Sequence, residues 1–211
     1  MGAMGCGVVA MTDIELYLTQ QHTGYAAPLQ GIKYNKSNGE IAKDGYMRYA
    51  EYNRDYLYYL GDNSLNYFTG VLPSSMEIGI ELYLESNNHP YKNATWAPYC
   101  GGKSDAKIEV AKIIETMISR NLPVAFAYFT FSEQNLLELY SNCSDARQEE
   151  SSDEDVKSHY MTIVGYSKYL RDDGINYEYV LKVVSWGKIY YINYDEYADN
   201  LSYFSNVLEV K

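Results

Sequence analysis

Apolar residues recur along the first segment at Cys6, Val9, Ala10, Ile14, Tyr17 and Leu18, with Val8 and Met11 widening the stripe. That spacing predicts a helix whose first two turns are buried nearly all round. Residues 22–38 hold Gly24, Pro28, Gly31 and Asn38 among polar neighbours, which predicts a loop with a short strand near Ile32 to Tyr34. Over 40–60 the tyrosines Tyr46, Tyr49, Tyr52, Tyr56 and Tyr59 recur every three or four residues, so a helix with a tyrosine stripe is expected there. Gly61-Asp62-Asn63-Ser64 reads as a turn, and Ser74 or Ser75 as the cap of a helix reaching about Leu84. Residues 86–103 form a long irregular loop holding His89, Trp96 and Cys100, and a lone loop histidine is ordinarily solvated. From Ser104 the positions Val110, Ala111, Ile114, Met117 and Ile118 share one helical face, which ends at Asn121 before Pro123.

The period then changes. Val124 to Phe129 is an apolar run too short for a helix and suited to a buried strand. Ser132 is expected to cap a short helix through about Leu139. Residues 144–157 are acidic and predict a solvated excursion outside any site. Three strands follow, over 159–166, 177–185 and 188–193, with Asp172-Asp173-Gly174 turning the first into the second. A helical turn over 195–200 and a strand over 202–210 close the chain. Helices early and antiparallel strands late make an α+β pattern: one domain of 211 residues, helical to about 142 and sheet from about 158.

Composition narrows the function classes. The formal charge of −11 argues against a nucleic-acid partner, which selects basic faces. No stretch is apolar enough for a membrane span. No basic segment followed by an apolar one marks a signal peptide, so the compartment stays open. Three cysteines, none in a C-x-x-C, point neither to a disulfide framework nor to a structural zinc site, and no metal or cofactor is expected. Twenty-five tyrosines supply bulk with a polar tip, which favours a hydrogen-bonded core periphery.

Cys6 sits between Gly5 and Gly7 at the start of the first predicted helix. There a thiol meets the positive end of the helix dipole, which favours thiolate. A small buried apolar cysteine is the plainer reading of the same position.

Several segments resemble papain-like cysteine peptidases, in particular their bacterial bacteriocin-processing branch. GCGVVAMTDIELYL resembles the nucleophile helix, EVAKIIETMISRNLPVAFAYF the middle, SHYMTIVGY the histidine strand, and YVLKVVSWGKIYYI the next strand pair with its Ser-Trp-Gly corner. The resemblance implies a papain-like α+β fold, with a nucleophile helix and helical region packed on a C-terminal antiparallel sheet. It implies Cys6 as nucleophile and His159 as base, acting on a peptide or protein substrate. The residues before Cys6 contain no Gln or Asn to donate to an oxyanion, though the Cys6 backbone N–H could contribute. Val184 stands where the family places the Asn that orients the histidine, which leaves Ser185 as the nearest polar substitute. A main-chain carbonyl of the corner and Asn193 are the other candidates. Since neighbouring strand residues face opposite sides, Ser185 is expected to reach His159 only through a twist or bulge at the corner. Trp186 is expected to shield the imidazole, and Cys100 and Cys143 to play no part.

The activity so implied is thiol-dependent hydrolysis of a peptide or isopeptide bond. A papain-like module that binds peptides without cleaving them, and amide acyl transfer on the same fold, are the alternatives.

Overall fold

The computed structural model describes residues 5–23, 32, 40–59, 71–97, 103–130, 132, 134–149, 152–202 and 205–211. Among them are six helices and eight strands, an α+β protein. They divide into two compact units, residues 1–94 with Lys211, and residues 95–210. The helix predicted from Ser104 therefore belongs with the sheet, on which it packs.

The first unit is helical: α1 (Cys6–Thr23), α2 (Lys43–Tyr59) and α3 (Pro73–Ser86). Pro73 opens α3 because its missing N–H lies where no intrahelical partner exists. Each helix contacts the other two. Gly79 of α3 allows a close approach, since a Cβ there would lie 2.7 Å from Met11 Cε and 3.4 Å from Leu57 Cδ2. Leu16, Ile32 and Tyr49 form a buried cluster beside Ile41 and Tyr46. The interior is partly polar. Asn53 donates to Thr12 Oγ1 at 3.1 Å and to Glu15 Oε2 at 2.8 Å, and burial pushes the Glu15 carboxyl up to about 8. The tyrosine stripe of α2 is real but split: Tyr46 donates to Asp13 Oδ1 at 2.7 Å and Tyr49 is buried. Tyr52 faces out, its ring nearly parallel to those of Tyr49 and Tyr56 at 6.1 Å.

The second unit is built on a six-stranded sheet in the order β1-β8-β2-β5-β6-β7. Its strands are β1 (Ala94–Trp96), β2 (Val124–Phe129), β5 (Ser158–Leu170), β6 (Tyr177–Ser185), β7 (Lys188–Asn193) and β8 (Asn206–Val210). A two-stranded sheet pairs β3 (Leu137–Leu139) with β4 (Glu154–Val156). It joins the edge of the larger sheet through reciprocal bonds between Tyr140 and Tyr191. The helices are α4 (Lys103–Ser119), α5 (Cys143–Gln148) and α6 (Tyr194–Asp199).

Helix α4 stops where the sequence says it should. Asn121 is left-handed at φ 58°. Its N–H bonds the Ile118 carbonyl at 2.9 Å and the Leu122 N–H bonds that of Met117 at 2.9 Å, a Schellman motif that satisfies the last carbonyls before Pro123. The helix packs on β2, β5 and β8. Helix α6 places Tyr197 over Phe126, ring centroids 4.3 Å apart, with both fully buried.

Four sequence expectations are corrected. Ser132 does accept an N–H, that of Gln134 at 3.1 Å, but no helix follows. Leu137 and Leu139 are buried on one side of a strand paired to Val156 and Glu154. The long 86–103 loop contains β1. In the acidic 144–157 segment, the described residues include most of α5 and all of β4. Asn142 caps α5, whose Ala146 is fully buried with Tyr140 and Val180, and β4 completes the small sheet. His89 is buried, 1% exposed, rather than solvated. The expected turn at 61–64, most of the 22–38 segment and Cys100 lie outside the described residues.

Candidate active site

Cys6 is the first residue of α1 and is half-buried, with the buried Gly7 beside it. It belongs to the first unit and His159 to the second.

His159 is the second residue of β5. Strand β2 lies on one side of it, with Tyr128 directly opposite. Strand β6 lies on the other, where Thr162 opposes Val184 and Ile163 opposes Val183. Residues opposed across an antiparallel pair share a face. His159, Met161, Ile163, Val183 and Ser185 therefore face one way, and Thr162 and Val184 the other. The register alone brings Ser185 to the histidine. Ser185 Oγ lies 2.6 Å from His159 Nε2, and both residues are buried, 4% and 7% exposed. No bulge at the corner is needed; the irregularity in β5 falls instead between Ile163 and Gly165. Asn193 is engaged elsewhere, accepting the Asp195 N–H and donating to Glu149. Val184, on the opposite face, could not reach His159 whatever its side chain.

The corner itself is a two-residue hairpin turn. Ser185 pairs with Lys188, and Trp186 and Gly187 between them are both left-handed, at φ 49° and 73°. A type I′ hairpin turn requires that handedness at both central positions. Glycine adopts it freely, whereas a bulky residue such as tryptophan does so at a cost of order 1–3 kcal/mol. The conformation lays the indole on the imidazole, centroids 4.4 Å apart and planes 25° from parallel. The indole is held from behind by Tyr190, whose ring meets it edge-on at 6.2 Å and 89°. Tyr190 is buried, while Trp186 keeps 56% of its surface exposed.

Tyr190 was not singled out from the sequence, although the signal is there. A two-residue turn at Trp186-Gly187 forces Ser185 opposite Lys188 and hence Val183 opposite Tyr190, which puts Tyr190 on the histidine's face.

This enclosure desolvates His159, and burial lowers its pKa from 6.5 to about 4. The imidazole is therefore neutral at pH 7. With Nε2 engaged by Ser185, Nδ1 has no hydrogen-bond partner among the described residues. The site thus presents a neutral imidazole oriented by Ser185, with Nε2 donating or accepting according to its tautomer. Among the described residues no cluster of three or more His, Cys, Asp or Glu side chains could hold a metal, and no helix is long and apolar enough to cross a membrane.

Cys143 begins α5 at the other end of the sheet, with its Sγ 3.2 Å from Tyr169 Oη.

Comparison with known proteins finds no match: no protein-family model, no curated protein and no solved structure matches the chain.

Proposed function

We propose that the chain is a papain-like, thiol-dependent hydrolase that cleaves a peptide or isopeptide bond, with Cys6 as nucleophile, His159 as base and Ser185 as the positioning residue. The observation that supports this reading most is the state of His159. A buried, neutral imidazole held at Nε2 by a hydroxyl is oriented to accept a proton at Nδ1 when its own proton lies on Nε2.

For Nδ1 to carry the lone pair, Nε2–H must donate to Ser185 Oγ. In the proposed first step Nδ1 takes the Cys6 proton as the sulfur attacks the carbonyl carbon. The imidazolium then protonates the leaving amine, the C–N bond breaks and a thioester remains. Water, deprotonated by Nδ1, attacks the thioester, releasing the acid and restoring the thiol. Ser185 acts through the imidazole, holding its tautomer and ring angle. Trp186 and Tyr190 keep water off the ring. The start of α1 would add the positive end of its dipole to the thiolate.

Substoichiometric iodoacetamide labelling near neutral pH, read by mass mapping, tests the assignment. Cys6 should label before Cys100 and Cys143, and His159→Ala should slow it by roughly 100-fold. Labelling of Cys143 or Cys100 first would remove Cys6 from the site. Fast Cys6 labelling without hydrolysis across a peptide and isopeptide panel would move the reading to acyl transfer or to peptide binding.

A further inference from the structure

A second histidine is buried in the first unit, and the site above makes no use of it. His89 follows the last turn of α3, where its N–H bonds the Leu84 carbonyl at 2.9 Å. It is 1% exposed, and both ring nitrogens are committed to main-chain groups. Nδ1 accepts the Tyr91 N–H at 3.2 Å, and Nε2 lies 3.3 Å from the Leu18 carbonyl of α1. A carbonyl can only accept and an N–H can only donate. The two contacts together fix the neutral ring with its proton on Nε2. Protonating Nδ1 removes the acceptor from a half-buried N–H and charges a buried ring.

Beyond the Leu18 carbonyl, which favours that charge, the cations near the ring oppose it. From α1, His22 meets it edge-on with centroids 4.9 Å apart. From its own segment, Tyr91 stacks on it at 5.3 Å and Lys92 acts as a further cation. The α3 carboxylate that reaches this segment, Glu81, accepts the Ala94 N–H at 3.3 Å. The segment in turn holds the end of the described chain. Lys92 and Asn93 donate to the Lys211 carbonyl at 2.6 and 3.0 Å, and Lys211 donates back to Asn93 at 2.8 Å.

We propose that His89 is an acid-released latch of the first unit: neutral, it fastens residues 91–93 to α1 and through them the backbone of Lys211; protonated, it lets both go. Burial is the first cause that lowers its pKa; the Leu18 carbonyl acts against it, and the charges of His22 and Lys92 act with it. The sign follows. A histidine lowered on folding contributes stability that is present above the ordinary imidazole range and is lost as pH falls below it. Release is local, because the hydrogen bonds it breaks belong to one segment.

Amide hydrogen exchange on the full chain, corrected for the intrinsic pH dependence of exchange, reads the latch directly. The Tyr91 amide should be protected at pH 7.5 and lose protection on the order of tenfold per pH unit once His89 titrates, as one linked proton dictates. The amides of Lys92, Asn93 and Lys211 should follow, while those of Met161 and Val183 in the sheet hold. His89→Asn offers Tyr91 a carbonyl acceptor that cannot be protonated and should flatten the dependence. His22→Ala removes a neighbour that lowers the His89 pKa and should move the midpoint upwards by about a few tenths of a pH unit. Tyr91 protection independent of pH, or the same loss in His89→Asn, would overturn the latch. Should His89→Asn not fold, the ring nitrogen shifts of the native protein decide: an Nδ1–H tautomer sinks the proposal.

Discussion

Ser185→Ala takes one hydroxyl from His159 Nε2 and leaves a buried ring nitrogen without its partner. We expect Cys6 alkylation or turnover to fall roughly 10–100-fold, with about 1 kcal/mol lost from stability by chemical denaturation. An unchanged rate would take Ser185 out of the site. His159 carries its own pH signature. Its pKa drops from 6.5 to about 4 on burial, so the folded chain binds fewer protons than the unfolded one between those values. Stability should be full above about pH 6.5 and decline as pH falls towards 4, by at most about 3 kcal/mol for this one group. His159→Gln should remove that part of the acid dependence; a curve of unchanged shape would mean that the imidazole is hydrated. Tyr190 is tested through the same quantity. Tyr190→Ala removes the ring that backs Trp186, and the His159 pKa read by NMR should climb towards 6.5. Tyr190→Phe should restore it, since the contact is made by the ring.

At the scale of elements, the close approach of α3 to Met11 and Leu57 is a packing constraint in the first unit. Gly79→Ala places a methyl 2.7 Å from Met11 Cε, the tip of a flexible side chain that can swing aside. A loss below about 1 kcal/mol is expected. Gly79→Leu reaches past Met11 into Leu57 and should cost about 1–3 kcal/mol; a melting temperature unchanged by the leucine would show that the helices stand further apart. The elements that could be read from the chain are those whose signal is local. The α4 stop at Asn121-Leu122-Pro123 and the apolar run of β2 are examples. Those that could not be read are made by partners distant in sequence. Leu137-Glu138-Leu139 is too short to show a period, and only pairing with 154–156 makes it a strand. Alternation along β6 says that Val184 and Ser185 face opposite ways, but which one shares the face of His159 is set by the register across β5. His89 likewise sits in a polar loop by sequence and is buried by α1 and its own neighbours.

At the scale of the molecule, the acidic segment is a tie and not an appendage. Removing residues 146–154 would take out Ala146 from under Tyr140 and Val180, and Glu154 from the small sheet. It would also remove Asp153, which accepts the Ser141 N–H at 2.5 Å and whose own N–H bonds the Leu139 carbonyl. We expect the deletion to cost at least about 2 kcal/mol, seen as a lowered denaturation midpoint; an unmoved midpoint would return the segment to the status of a surface loop. The strand order carries one more consequence. Strand β2 is wholly apolar, Val124-Ala125-Phe126-Ala127-Tyr128-Phe129, and lies between β5 and β8. During synthesis β5 emerges first and covers one side, while β8, at Asn206–Val210, comes long after β2 has left the ribosome. Until then the nascent chain carries a sticky strand with an open edge, the kind of surface that recruits chaperones or other nascent chains. Chains interrupted before Asn206 should therefore collect in the insoluble fraction, and the five residues of β8 are what turn a self-associating translation product into a finished sheet.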